Sequence, residues 1–228
     1  MRSIEAVIFD LEGTLFDCPL LSQKHLATII NLIAAKKTIS FSKAKNLFFS
    51  ARCDFSKKLG YEPAMVTTVL MLGINRADFF RCIESTDPFQ FIQSEHRLKE
   101  ILSQLRQLGK VGLLTNVSRK TVTAILHALG LDPNEFDAIV SGDEVPENKP
   151  ALGPFLKMAA TLLVQPNHIV MVGDRTNIDL IPAKILGMAT ILIDKSSNVS
   201  RFADVVVNDV SEVHSAVLRI ARASTLHH

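Results

Sequence analysis

Asp10 and Glu12 stand two positions apart in Asp10-Leu11-Glu12-Gly13-Thr14, directly after the apolar run Ala6-Val7-Ile8-Phe9. Far along the chain, His168–Gly173 ends in Asp174, and Asp179 follows five positions later. Between them Thr115-Asn116 closes the run Lys110–Leu114, and Lys149 precedes Pro150. Singly, each has a plain structural explanation. An Asp after a strand caps a helix, a lone Lys is solvated, and a Thr hydroxyl satisfies a loop backbone. Together they set four carboxylates and one ammonium at the ends of apolar runs. Clustered carboxylates repel, and each is costly where water is scarce unless it is paired or bound to a cation. A hard divalent ion answers that need: Mg²⁺ takes oxygen ligands and keeps waters or phosphate oxygens in its shell. The pattern therefore points to cation-assisted handling of an anionic group.

The elements that must carry these residues are legible in the hydrophobic pattern. Short β-branched runs predict strands at Glu5–Asp10, Lys110–Thr115, His168–Gly173 and Ala189–Ile193, with weaker ones at Ala138–Ser141 and Ala203–Val207. Helical periodicity fills the intervals at Glu95–Leu108, Arg119–Leu129, Ala151–Leu163, Asn177–Leu186 and Val210–Ala223, and Gly109, Gly130 and Gly187 stand where helix C-terminal glycines belong. Alternating strands and helices predict an α/β fold with a parallel, doubly wound sheet. Ligands of such sheets bind outside the carboxyl ends of the strands, near the switch point. That is where all the singled-out residues fall.

Residues 17–88 break the rhythm, with helical patterns at Leu21–Lys36, Ser42–Leu59, Pro63–Leu72 and Arg76–Glu84 and no convincing strand. The segment reads as an all-helical insert, so the expected organisation is a core of 1–16 plus 89–228 and an inserted unit of 17–88. It carries ten Lys/Arg against six Asp/Glu, whereas the whole chain of 228 residues has 25 against 23. A basic lid of that kind favours an anionic ligand. The near balance of charge over the chain gives no nucleic-acid footprint. No apolar run approaches the ~20 residues of a membrane span. The composition is 47% hydrophobic and 21% charged, ample for a packed core. Cys18, Cys53 and Cys82 make no disulfide framework, which fits a reducing compartment. The reading expects a cytoplasmic protein, monomer or homodimer, with no membrane or nucleic-acid partner. The closing pair His227-His228 reads as a tag remnant and is left out.

These residues in this order resemble the haloacid-dehalogenase-like hydrolase superfamily, over nearly the whole chain. Asp10-Leu11-Glu12-Gly13-Thr14-Leu15 is similar to that family's first motif, Gly112-Leu113-Leu114-Thr115-Asn116 to its second, and Lys149 in Glu147-Asn148-Lys149-Pro150 to its third. Gly173-Asp174-Arg175-Thr176-Asn177-Ile178-Asp179 is similar to its fourth. The resemblance implies a Mg²⁺-dependent phosphatase with a helical cap, 17–88, of the small kind that goes with small phosphorylated substrates. Only one helix and one strand fit in the 33 positions from Asn116 to Lys149, which leaves no room for a cap at the alternative position.

By that resemblance Asp10 is the nucleophile, and Asp10, Asp174, Asp179 and the Glu12 carbonyl surround the metal, with Asp179 orienting its water shell or pairing with Lys149. Thr115, Asn116 and Lys149 bind substrate oxygens. Glu12 is the acid/base where the family's phosphatases usually carry Asp, one methylene shorter. Enolase-phosphatases share the Glu. Two other classes stay open: a dehalogenase, which Gly13–Asp17 resembles and the acidic residues disfavour, and a catalytically weak binding protein. Phosphoglycolate, sugar phosphates and nucleoside monophosphates all remain as substrate classes. Within the cap, Arg52, Lys57 and Lys58 are the expected substrate contacts.

Overall fold

The computed structural model describes residues 3–196 and 200–223; His227 and His228 lie outside the described residues. Six parallel strands, β1 (Ala6–Phe9), β2 (Lys110–Leu114), β3 (Ala138–Val140), β4 (Ile169–Gly173), β5 (Ala189–Ile193) and β6 (Val205–Val207), form one sheet in the order β3-β2-β1-β4-β5-β6. The expected fold class is the observed one. Register is set by burial on both faces, since a one-residue slip would turn every side chain over. Phe9 stands opposite both Leu113 and Val172. Chain order reverses between β1 and β4, so the switch point lies beside the residue that follows Phe9, which is Asp10.

The two faces of the sheet feed two apolar clusters. Val7 and Phe9 of β1 pack with α5 (His96–Arg106), α6 (Arg119–Ala128) and α9 (Val213–Ala223). Ala6 and Ile8 pack with α7 (Leu152–Leu162) and Ala183 of α8 (Ile181–Ile185). A third cluster belongs to the helices after β1: α1 (Pro19–Lys37), α2 (Phe41–Leu59), α3 (Met65–Met71) and α4 (Arg76–Glu84). Ile29, Ile33, Phe48, Val69 and Phe80 are among its members. Asn75 caps α4, its side chain accepting from Asp78 N–H at 2.8 Å.

One helix differs from the sequence reading. Asn177–Leu186 is not a single helix. Thr176–Leu180 forms a wide turn, and α8 begins only at Ile181. The turn draws Asp179 inward, where its Oδ2 accepts from Arg175 N–H at 3.2 Å and its Oδ1 meets Lys149. Pro182 suits the first turn of the helix that follows, where its missing N–H is not needed. No helix among the described residues is long and apolar enough to cross a membrane.

Candidate active site

Asp10, Thr115 and Asp174 each follow the last residue of β1, β2 and β4, so three adjacent parallel strands deliver them to one sheet edge. Asp10 is anchored there by its N–H, which donates to Val172 O at 2.9 Å. The loop then turns at Gly13, whose φ of 83° lies in the left-handed region. A Cβ on Gly13 would lie 2.4 Å from Asp174 Oδ2, so glycine lets this turn close over the acid. A Cβ on Gly173 would likewise lie 2.5 Å from the Cβ of Asp179.

Lys149 is buried, with 1% of its surface exposed, and makes two ion pairs: 2.8 Å to Asp10 Oδ1 and 2.6 Å to Asp179 Oδ1. Burial alone would lower the ammonium's pKa, but Asp10 and Asp179 outweigh it and raise it, so the charge is kept. The Lys149–Pro150 peptide is cis. Asn116 brackets Lys149: its Oδ1 accepts from Lys149 N–H at 2.8 Å, and its Nδ2 donates to Lys149 O at 3.0 Å. Asn116 also lines the cavity between the sheet edge and the helices, and its amide holds the Lys149 backbone in place. Thr115 is 5% exposed, and its N–H donates to Val140 O at 3.1 Å.

Asp10, Asp174 and Asp179 each offer an oxygen within 4.8 Å of the others. Burial, reinforced by Asp10 and Asp179, pushes the Asp174 carboxyl up to about 7. Burial pushes Asp179 up to about 6 even beside Lys149. Asp174 Oδ1 is buried without a hydrogen-bond partner. An orphaned carboxylate oxygen on Asp174, in an all-oxygen donor set, fits a hard divalent cation. The Glu12 carboxylate is not part of this cluster. It points toward α1, with Oε1 3.4 Å from His25 Nδ1.

A cavity of about 150 Å³ opens between these groups and the helices above them. Asp10, Glu12, Thr115 and Lys149 line it from the sheet edge, and Arg52 and Phe79 from α2 and α4. Arg52 is held by Glu62 Oε1 at 2.6 Å and by the Phe48 ring, 5.8 Å from its guanidinium carbon. Lys57 and Lys58 are exposed and do not line the cavity, which corrects their assignment as substrate contacts. They belong to the last turn of α2, where cations favour the helix C-terminus. A larger cavity of about 480 Å³ lies beside Phe16, Cys18, Phe91 and Ile92, and none of the sequence-derived site residues lines it. The titratable groups, not the volume, mark the smaller one.

Several site-forming contacts had no signal in the sequence. Arg76 of α4 donates to Pro146 O at 2.7 Å and also to Gly142 O and Asn148 Oδ1, gripping the loop that leads to Lys149. Glu84 accepts from Ser118 Oγ at 2.7 Å. Arg175 donates to Glu62 O across the same gap. Arg175 and Asn148 lay inside recognised motifs, but no spacing rule names their partners.

The model of a family described as haloacid dehalogenase-like hydrolase matches residues 4–187. The chain is 28% identical over 214 residues to N-acylneuraminate-9-phosphatase of Rattus norvegicus, covering 87% of this chain and 86% of that one. It is 24% identical to glyceraldehyde 3-phosphate phosphatase of Methanocaldococcus jannaschii, covering 96% and 99%. Among solved structures, a HAD phosphatase from Thermococcus onnurineus superposes with a TM-score of 0.66 at 23% identity, covering 94% and 98%, which speaks to the fold. With the motif residues gathered at one sheet edge, the chain belongs to the haloacid dehalogenase-like hydrolase family, as one of its phosphatases.

Proposed function

We propose that this enzyme removes phosphate from a small phosphorylated metabolite by way of a phosphoryl group carried on Asp10. The observation that carries the reading is the placement of Asp10. Its carboxylate pairs with buried Lys149 at 2.8 Å, stands within 4.8 Å of Asp174 and Asp179, and faces the cavity. We treat 17–88 as the cap above that cavity and 1–16 with 89–228 as the catalytic core.

In the first step Asp10 attacks phosphorus, the bond from phosphorus to the alcohol oxygen breaks, and Glu12 gives that oxygen its proton. In the second step Glu12 takes a proton from water, the water attacks phosphorus, and the bond to Asp10 breaks, releasing phosphate. Lys149 and the Thr115 hydroxyl hold the equatorial oxygens, where charge is spread in the transition state. Lys149 also holds the Asp10 carboxylate in place through their 2.8 Å ion pair. Mg²⁺, when held by Asp10, Asp174 and the Glu12 carbonyl, would neutralise the non-bridging oxygens that otherwise repel an anionic nucleophile. Asp179 fixes Lys149 from behind. The modest cavity and the small sugar-type phosphates named for the two curated relatives support a small-molecule substrate.

The test is phosphate release from a panel of phosphorylated metabolites, with Mg²⁺ and with excess chelator, by the native chain and by Asp10→Asn. The expected result is metal-dependent release that falls by several orders of magnitude in the variant. Full activity in Asp10→Asn would remove the aspartyl-phosphate route.

A further inference from the structure

His25 is a buried polar residue in an apolar stripe. Leu21, His25, Ile29 and Ile33 recur every four residues along α1 and so share one face. Leu21 belongs to the cluster under the sheet, while Ile29 and Ile33 belong to the cluster of the four cap helices. His25 stands between the two, 2% exposed. A polar ring so placed is costly unless it finds a partner.

The partner it faces is the acid of the first motif. His25 Nδ1 lies 3.4 Å from Glu12 Oε1. That oxygen is sealed from solvent and has no hydrogen-bond partner, His25 included. An unpartnered carboxylate oxygen on the sheet edge and a buried imidazole on α1 thus face each other across the junction. Glu12 has three rotatable bonds between backbone and carboxylate oxygens, so nothing in its own loop fixes where the carboxyl stands. A carboxyl that must deliver a proton to a particular oxygen needs fixing, because a 1 Å displacement costs about 100-fold. The extra methylene of Glu over Asp is what carries the carboxyl to the helix.

We propose that His25 is a positioning residue for Glu12: its Nδ1–H donates to Oε1 and holds the carboxyl toward the leaving oxygen, tightening from 3.4 Å when substrate is bound. This rests on the reading of Glu12 as the acid/base. It also explains why Glu serves here. The acid is held by a helix of the cap instead of by its own loop, so the proton donor is in position only while α1 lies against the core.

The test uses Mg²⁺-loaded full-length enzyme and a series of substituted phenyl phosphates, from p-nitrophenyl phosphate to phenyl phosphate. Leaving groups of higher pKa need the proton more. Glu12→Gln should make kcat/KM fall steeply along the series. His25→Leu, which keeps the packing and removes the donor, should lower phenyl phosphate turnover about 10- to 100-fold and p-nitrophenyl phosphate less than about threefold. KM should hardly move. His25→Asn places an amide near Nδ1 and should recover much of the loss, whereas His25→Gln, with its amide near Nε2, should not. Should His25→Leu not fold, this Asn/Gln contrast decides. Adding His25→Leu to Glu12→Gln should make the series no steeper than Glu12→Gln alone. Equal losses on both substrates, or none, with Glu12→Gln steep would overturn the role of His25 and leave Glu12 as the acid. A flat series for Glu12→Gln would overturn both.

Discussion

Lys149 Nζ lies 2.6 Å from Asp179 Oδ1, and neither side chain reaches solvent. Removing one member of a buried pair leaves the other charge uncompensated, at a cost of about 3–5 kcal/mol. Lys149→Met should therefore lower the urea midpoint strongly. Lys149→Met combined with Asp179→Leu should cost less than the two single changes added together. Strict additivity in the unfolding measurements would show that the pair is not coupled. Both single variants should lose phosphatase activity, since Lys149 also faces Asp10.

The metal-free protein should lose stability as pH rises between about 4 and 7. Asp174 and Asp179 titrate near 7 and near 6 in the folded chain, well above the ordinary Asp value, because they are buried and face Asp10. Over that window the native state keeps protons that the unfolded chain has released, so the slope of stability against pH is negative. The contribution is on the order of a few kcal/mol. Thermal unfolding in chelator should give a higher Tm at pH 5.5 than at pH 8. Added Mg²⁺ should raise Tm at pH 8 much more than at pH 5.5, because a cation replaces those protons. Equal Mg²⁺ stabilisation at both pH values would dissociate the three acids from metal binding.

Gly13→Ala should damage the acidic cluster more than the fold. The added Cβ meets Asp174 Oδ2 and sits at a positive φ that L residues disfavour, a strain of about 1–3 kcal/mol. Asp174 can yield only by leaving its place beside Asp10. Half-activation should then need about tenfold or more Mg²⁺, in line with the loss when ligand-supporting groups are disturbed. An unchanged Mg²⁺ requirement in a folded variant would show that Asp174 does not depend on the Gly13 turn.

Of the three cationic residues near the end of α2, only Arg52 lines the cavity. Arg52→Ala should reduce kcat/KM for the metabolite found in the panel by about 5- to 150-fold, the range for a charge-assisted contact of ~1–3 kcal/mol. It should barely change p-nitrophenyl phosphate, whose phosphoryl group is held by the core. Lys57→Ala and Lys58→Ala should stay within about twofold of wild type. A uniform loss on both substrates would place Arg52 in the architecture of the cap, through Glu62, and not in substrate recognition.

The acids were legible in the sequence because Asp10 and Asp174 directly follow apolar runs, with Glu12 and Asp179 a few positions on, and parallel strands bring their carboxyl ends together whatever lies between them; Lys149 was legible by its motif before Pro150. The fold was legible for the same reason: strands buried on both faces leave continuous apolar stretches such as Ala6–Phe9 and Ile169–Val172. His25, Arg76, Glu84 and Ser118 were not. Each acts through a partner on another element, 13 to 72 positions away, and helical periodicity records only which face is buried. The side chain of Asn116 carries the same lesson. Its position after β2 suggested a place at the cavity, which it lines, but nothing in the sequence told that its amide also pairs with a backbone 33 positions on. The turn at Thr176–Leu180 was hidden because its residues fit a helix pattern, which says nothing of the Asp179 contact with Lys149 made from it.

The central position of β1 sets an order of assembly. Its neighbours are β2, whose Lys110 pairs with Ala6, and β4, whose Ile169 also pairs with Ala6. Of these six strands β1 comes first in the chain, yet it lacks its second neighbour until Ile169–Gly173, since both flanks lie far downstream. Closing such long loops comes before any reward from their contacts, which places this chain among slow, nonlocal folders. Helices α1 to α4 draw their apolar cluster from Ile29 to Ile83, one continuous stretch, and can collapse while the sheet still lacks its centre. During that interval Ala6-Val7-Ile8-Phe9 is an apolar strand with two open edges, and it is the segment a chaperone would need to shield.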